Sequence, residues 1–162
     1  MLLNILTEPN SLLHQKAQEL DFSVWNKTEL KELAANMLET MYLKDGVGLA
    51  APQIGKSIRL CVIAKNFTAD KTADLVLINP TWQKLSISKI NDEEGCLSVP
   101  DIYGQVKRYK KIRVKATDLS GQPLVFEAMD FFARIVQHEI DHLDGILFIE
   151  KAKKLHSFEK KL

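Results

Sequence analysis

Met129-Asp-Phe-Phe-Ala-Arg-Ile-Val-Gln-His-Glu-Ile-Asp-His-Leu143 is the stretch of this 162-residue chain whose period decides how the rest is read. Its apolar residues follow a helical period until Asp144-Gly145 stops it, which predicts a helix from Met129 to about Leu143. Within it, His138-Glu-Ile-Asp-His142 is an H-E-x-x-H. A four-residue step turns a helix through about 400°, so the two imidazoles emerge side by side and can share one cation. Glu139 lies one residue round from His138, near enough to reach a water on that cation without binding it. A solvated, charge-rich helix end would use the same residue types; the motif and its helical setting together favour the metal.

Working outward, Leu30, Leu33, Ala34, Met37, Leu38 and Met41 repeat at helical spacing and predict a helix from Thr28 to about Lys44, with Asn26 and Glu29 resembling a capping box. A shorter helix, about Ser11 to Leu20, is expected behind Pro9 and Asn10. Between the helices, Asp45-Gly-Val-Gly-Leu-Ala-Ala-Pro-Gln-Ile-Gly55 reads as an irregular loop where backbone approaches something closely. Strands are expected at Ile58 to Ala64, Leu75 to Ile78, Trp82 to Ile90, Ile112 to Thr117 and Leu124 to Ala128. Ile112, Val114 and Ala116 would share one face, and Asp118 to Pro123 would form the hairpin turn. Helix, strands, then helix argues for an α+β fold, with mostly antiparallel sheets packed around a central helix carrying the HExxH.

Length and composition agree with one catalytic domain over 1–162, of which 151–162 is a basic C-terminal tail. There are 22 Lys and Arg against 21 Asp and Glu, a formal charge of +1, so no bulk field exists for gripping nucleic acid. Any charge effect must be local. The amino-terminal Met1 to Pro9 has no basic region, and nowhere do about 18 apolar residues run together, so a cytoplasmic protein with no membrane partner is expected. Two Cys and four His exclude a disulfide framework and multi-finger zinc modules, leaving room for one small metal site.

A catalytic metal site needs a third protein ligand and an open position. The metzincin pattern would put a histidine at position 148, which is Phe148, although Gly145 matches that pattern's glycine. A glutamate from a further helix would have to be Glu150 or Glu159, in a lysine-rich tail. Cysteine remains. Cys61 lies in the apolar run Leu60-Cys-Val-Ile63 and reads as core. Cys96, in Glu93-Glu-Gly-Cys-Leu-Ser-Val-Pro100, fits a strand-end core residue and a ligand equally well on composition.

Three segments then converge. Gly46-Val-Gly-Leu-Ala-Ala-Pro-Gln53, Glu94-Gly-Cys-Leu-Ser98 and Gln137-His-Glu-Ile-Asp-His142 resemble, in order and in nearly every residue, the signature motifs of peptide deformylase. The resemblance continues in Ile78-Asn-Pro80, in Arg113 to Gly121 and in Ala133-Arg134, and so covers most of the chain. It implies that Cys96 joins His138 and His142 as ligands of one divalent metal. The implied reaction is removal of the N-formyl group from the initiator methionine of nascent polypeptides, releasing formate. Ligand type alone, one sulfur and two nitrogens, points to Zn2+, whereas the resemblance implies Fe2+ in the cell with Zn2+, Ni2+ or Co2+ as substitutes.

By the same resemblance Glu139 is the proton shuttle, and Gln53 and the Leu97 N–H stabilise the oxyanion. Val47, Gly48 and Gly95 pair with an extended peptide. Phe131 and Ile135, spaced with His138 and His142 at intervals of four, three and four, and with Val47 beside them, would wall a methionine slot, though both also suit ordinary core contacts. His14 and His156 are bystanders. A zinc endopeptidase and a non-catalytic zinc module are the competing readings; the first lacks a downstream third ligand, and the second would leave Glu139 idle. Small departures from the commonest pattern are Asp130 where glycine is frequent and Lys107 where proline is frequent. The tail, expected as a short helix or none, carries Lys151, Lys153, Lys154, Lys160 and Lys161, a basic stretch that could contact ribosomal RNA. The enzyme is expected to work as a monomer and not to bind DNA.

Overall fold

A computed structural model describes residues 1–158, so Glu159, Lys160 and Lys161 of the tail lie outside the described residues. Two α-helices, α1 (Lys27–Leu43) and α2 (Asp130–Leu143), accompany eight strands. The strands are β1 (Gly48–Ala50), β2 (Leu60–Ile63), β3 (Leu75–Lys84), β4 (Lys89–Cys96), β5 (Val99–Tyr109), β6 (Lys111–Thr117), β7 (Pro123–Met129) and β8 (Lys153–Ser157). They form a five-stranded sheet in the order β1-β2-β3-β6-β7 and a three-stranded sheet in the order β4-β5-β8. Every strand pairing in both sheets is antiparallel.

β2 shows how the larger sheet is held. Its four residues are all buried, because Leu60 and Val62 face α1 while Cys61 and Ile63 face α2. A strand covered on both sides loses the in-out alternation and reads as a continuous apolar run. On the α2 side, Leu77, Ile112 and Val114 meet Val136, Ile140 and Leu143, all of them buried, with Ala116 half-buried against the same cluster. Each such side chain contributes roughly 1.5–3 kcal/mol on burial. On the other side Leu30, Met37 and Met41 of α1 pack on Leu49 and Ile78. The Asn26 side chain accepts from the Thr28 N–H at 2.7 Å and fixes the start of α1. A third apolar cluster, of Leu13, Val99, Val106, Leu147 and Phe148, lies beneath the smaller sheet.

Several expectations change. The helix expected over Ser11–Leu20 is only a 3₁₀ turn, Ser11–His14. Beyond it the backbone is taken by tertiary partners: the Ala17 N–H donates to the Leu143 carbonyl at 2.8 Å, and Gln18 bridges to Ile58. The loop at Asp45–Gly55 is also more regular than expected. Gly48–Ala50 adds an edge strand against Cys61–Ile63, and Pro52 opens a 3₁₀ turn that Gly55 ends at φ 79°. Leu75–Ile78 and the start of Trp82–Ile90 are one strand, kinked by a bulge where Asn79 (φ 49°) caps the Leu20 backbone through both ends of its amide. The rest of Trp82–Ile90 is a turn and the start of β4 in the other sheet. The tail, expected as a short helix or none, forms strand β8 on β5. Asp130, standing where glycine is frequent, has φ 53°, which explains why glycine suits that position.

Candidate active site

The β4–β5 hairpin and α2 build the site between them. Cys96 ends β4 at a tight turn in which it pairs with Val99, and the Ser98 N–H points at its Sγ from 3.4 Å. His138 and His142 project from one face of α2. Cys96 Sγ lies 3.3 Å from His142 Nε2, which lies 3.1 Å from His138 Nε2, and the three ligand atoms all fall within 4.8 Å of one another. Gln53, on the 3₁₀ turn after β1, is held by the Ala50 N–H donating to its Oε1 at 2.9 Å. Its Nε2 is thereby turned toward Ser98 Oγ at 3.1 Å and Cys96 Sγ at 3.5 Å.

Behind the imidazoles lies a buried ionic floor. His138 Nδ1 contacts Glu94 Oε1 at 2.8 Å. Arg108 grips both oxygens of Glu94 at 2.9 Å, and Arg134 adds a bond of 2.6 Å. Arg108 also reaches Asp141 at 2.5 Å, and Lys151 bonds the same carboxylate at 2.9 Å. Burial raises the Glu94 carboxyl, yet Arg108 and His138 outweigh it and hold the group far below the ordinary carboxylate range. A carboxylate so placed accepts a hydrogen bond from the His138 Nδ1–H and so turns Nε2 toward the other two ligand atoms. Burial also raises the Cys96 thiol, but His142 and His138 draw it well below its ordinary value. Burial lowers His138, and its bonds to Cys96 and Glu94 reverse this and push it up to about 10, so a cation would have to displace the proton on Nε2 to bind there. Thiolate and imidazole lone pairs facing one point are the donor set of a divalent cation, so these residues fit a metal.

Glu139 is buried, and its Oε2 has no hydrogen-bond partner among the described residues. Burial raises its carboxyl above the ordinary value, with the neighbouring imidazoles opposing. Its carboxylate fills the space beside Gly48, where an added Cβ would stand 2.8 Å from Glu139 Cδ. Gly95 is equally crowded, because a Cβ there would meet the Tyr103 ring at 2.6 Å. These residues border a cavity of about 530 Å³. Val47, Gly48, Gly95, Leu97, Phe131 and Ile135 all line it, as do Gln53, Cys96, His138 and Glu139. Phe131 is 45% exposed and Ile135 only 3%, so the first stands at the rim and the second in the wall.

All the residues singled out in the sequence as ligands or catalytic groups come together here. Cys61 is core, as expected. His14 pairs with Glu8 and His156 with Glu93, apart from the cluster. Sequence reasoning gave no role to Glu94, Arg108, Arg134 or Asp141. A signal existed: Arg134, His138, Asp141 and His142 follow one another at helical spacing and share one face of the helix.

Two imidazoles and a thiol converging beside a buried carboxyl whose Oε2 has no hydrogen-bond partner among the described residues form a possible metal site of the kind found in metal-dependent hydrolases. Residues 2–158 match the family described as polypeptide deformylase, and the chain belongs to that family. It is therefore an enzyme, a metallo-hydrolase of nascent-peptide deformylation. The peptide deformylase of Syntrophomonas wolfei is 49% identical over 150 residues, covering 91% of each chain. Among solved structures, the class I type b peptide deformylase of Acinetobacter baumannii with Met-Ala-Ser bound superposes at a TM-score of 0.86 with 36% identity, over 93% of this chain and 98% of that one. That of Thermotoga maritima gives 0.86 with 34% identity, over 94% and 99%.

Proposed function

We propose that Cys96, His138 and His142 hold one divalent cation, and that Glu139 works beside it to hydrolyse the N-formyl group of formyl-methionyl peptides. The observation that carries this is the convergence of three possible ligand atoms next to the buried Glu139 carboxyl, whose Oε2 has no hydrogen-bond partner among the described residues. Bound there, a divalent cation would lower the pKa of a water and polarise the formyl oxygen. Glu139 takes the water's proton and returns it to the departing nitrogen, a role suited by its raised pKa. The Leu97 N–H and the Gln53 Nε2 donate to the oxyanion, and the bond from Ala50 to Gln53 Oε1 orients that amide in advance.

Val47, Gly48 and Gly95 offer main-chain groups to an extended peptide, and Phe131, Ile135 and Val47 enclose the methionine side chain. The Acinetobacter structure with Met-Ala-Ser bound supports a peptide in this cleft. Residues 1–162 act as a single catalytic domain whose sheets are arranged around α2 at its centre. Fe2+ serves in the cell, with Zn2+, Ni2+ or Co2+ as substitutes, all within reach of a sulfur-and-nitrogen donor set. The enzyme works as a cytoplasmic monomer. Contact with the ribosome would run through the Lys151–Lys161 tail, of which Lys153 and Lys154 are exposed and Lys160 and Lys161 lie outside the described residues; co-sedimentation with ribosomes should weaken when the tail lysines are changed to glutamate.

The test of the reaction is formate release from formyl-Met-Ala-Ser set against cleavage of N-acetylated peptides. Formate with an intact peptide chain is expected. Cleavage of internal bonds would instead make the site an endopeptidase.

A further inference from the structure

β4 is an edge strand, with β5 on one side only and its other edge turned to the cleft. Gly95 and Glu93 face the same way along it, opposite Tyr103 and Gln105 of β5. At a rise of about 3.3 Å per residue, Glu93 stands about 10 Å from Cys96. A peptide extended along this edge from the metal would bring its second and third residues there.

The tail converges on this point from behind. In β8, His156 pairs with Tyr103, and its Nε2 lies 2.8 Å from Glu93 Oε1. Phe158 meets the Tyr103 ring edge to face at 5.1 Å and the His156 ring at 5.4 Å. The Tyr103 ring, in turn, fills the space over Gly95. β5 is also shaped to receive the tail, because at Gly104 any Cβ would collide with Leu155 and Ala152 at 2.8 and 2.9 Å.

We infer that the C-terminal segment His156–Phe158 positions the peptide-binding edge, clamping Tyr103 and Glu93 so that β4 is held in register for the part of the substrate downstream of methionine. This rests on the reading of β4 as the strand that pairs with substrate. The clamp touches no reacting atom. Its effect falls on peptide affinity, grows with peptide length, and leaves the chemical step alone.

Full-length His156→Ala/Phe158→Ala should be compared with wild type on formyl-Met-Ala-Ser and on formyl-Met amide, with metal content measured in each. Wild type is expected to show a lower KM for the tripeptide. With both aromatic contacts to Tyr103 and the bond to Glu93 removed, the double variant should raise the tripeptide KM about fivefold to tenfold. Its kcat should stay within about twofold and its KM for formyl-Met amide should hardly move. Phe158→Tyr with His156→Gln, which keeps an aromatic ring and a hydrogen-bond donor, should restore most of the loss. A wild type indifferent to peptide length would overturn the pairing along β4 and the clamp with it. A length preference that survives intact in the double variant, or a loss equal for both substrates, would overturn the clamp alone.

Discussion

The site has two sides made of opposite materials. Its floor is ionic and closed: Glu94 accepts from two arginines and contacts an imidazole, Asp141 is gripped from a strand and from the tail, and all of these carboxylates are buried. Its rim is nearly free of such bonds and is made of glycine backbone, with Gly48 under the Glu139 carboxyl and Gly95 under Tyr103. The floor fixes ligand direction to within a hydrogen bond. The rim supplies space and unpaired main chain. Hydrolysing many different nascent chains at one invariant bond calls for that division, rigid where the chemistry is constant and plain where sequence varies.

The comparison breaks first at the floor. Glu94→Gln keeps the shape but removes the charge that faces Arg108 and Arg134, and the loss of one partner in a buried ionic cluster costs about 3–5 kcal/mol. Metal affinity should fall by about 10- to 100-fold, because His138 loses the group that fixes its tautomer. Denaturant unfolding and metal competition would measure the two effects. The pH dependence has a definite sign. Glu94 is depressed below the ordinary value of 4.5, so its contribution is present above that pH and is lost as pH falls through the depressed folded value. The gap between wild type and Glu94→Gln should therefore be widest near neutrality and narrow in acid.

At the junction of floor and rim, Gly48→Ala would drive a Cβ into the Glu139 carboxylate. The strand should survive, since Gly48 sits at the edge of the sheet. The expected result is a fall in kcat of about 10- to 100-fold with metal retained, the scale on which a misplaced catalytic group acts. A normal kcat would show that Glu139 moves freely and that the glycine serves only the peptide. The smallest effect belongs to the rim. Phe131→Ala removes a half-exposed ring stacked edge-on against Phe67, so stability should drop by no more than about 1 kcal/mol while KM for formyl-methionyl substrates rises about twofold to tenfold. A loss of kcat instead would place Phe131 in the floor's supporting structure.

What the sequence revealed and what it hid follow the same division. The motifs are local: His138, His142 and Glu139 stood out through the helical spacing of H-E-x-x-H, and Cys96 and Gln53 through the resemblance of the two upstream motifs to those of a known family. α1, α2 and the β6–β7 hairpin were legible because their apolar faces repeat at periods of 3.6 and 2. β4 and β5 were not. Their inward positions mix Glu94, Gly104 and Arg108 with Val99 and Val106, so the apolar alternation that marks a half-buried strand is broken in the hairpin that carries Cys96. The partners of these charges, Arg134 and Asp141, come from a helix more than twenty residues away. The helix expected over Ser11–Leu20 stops at His14 for a related reason: beyond the turn, Ala17 bonds Leu143 and Gln18 bonds Ser57 and Arg59, and a local period cannot report such long-range partners.

The central claim is that a metal held by Cys96, His138 and His142 works with a separate proton carrier, Glu139. Glu139→Gln, purified anaerobically and compared with wild type for metal content and formate release from formyl-Met-Ala-Ser, tests it most directly. The account predicts one equivalent of metal in both proteins and a loss of formate production of about a thousandfold or more in the variant. Substantial activity in a metal-loaded Glu139→Gln, or loss of the metal with the carboxylate, would contradict it.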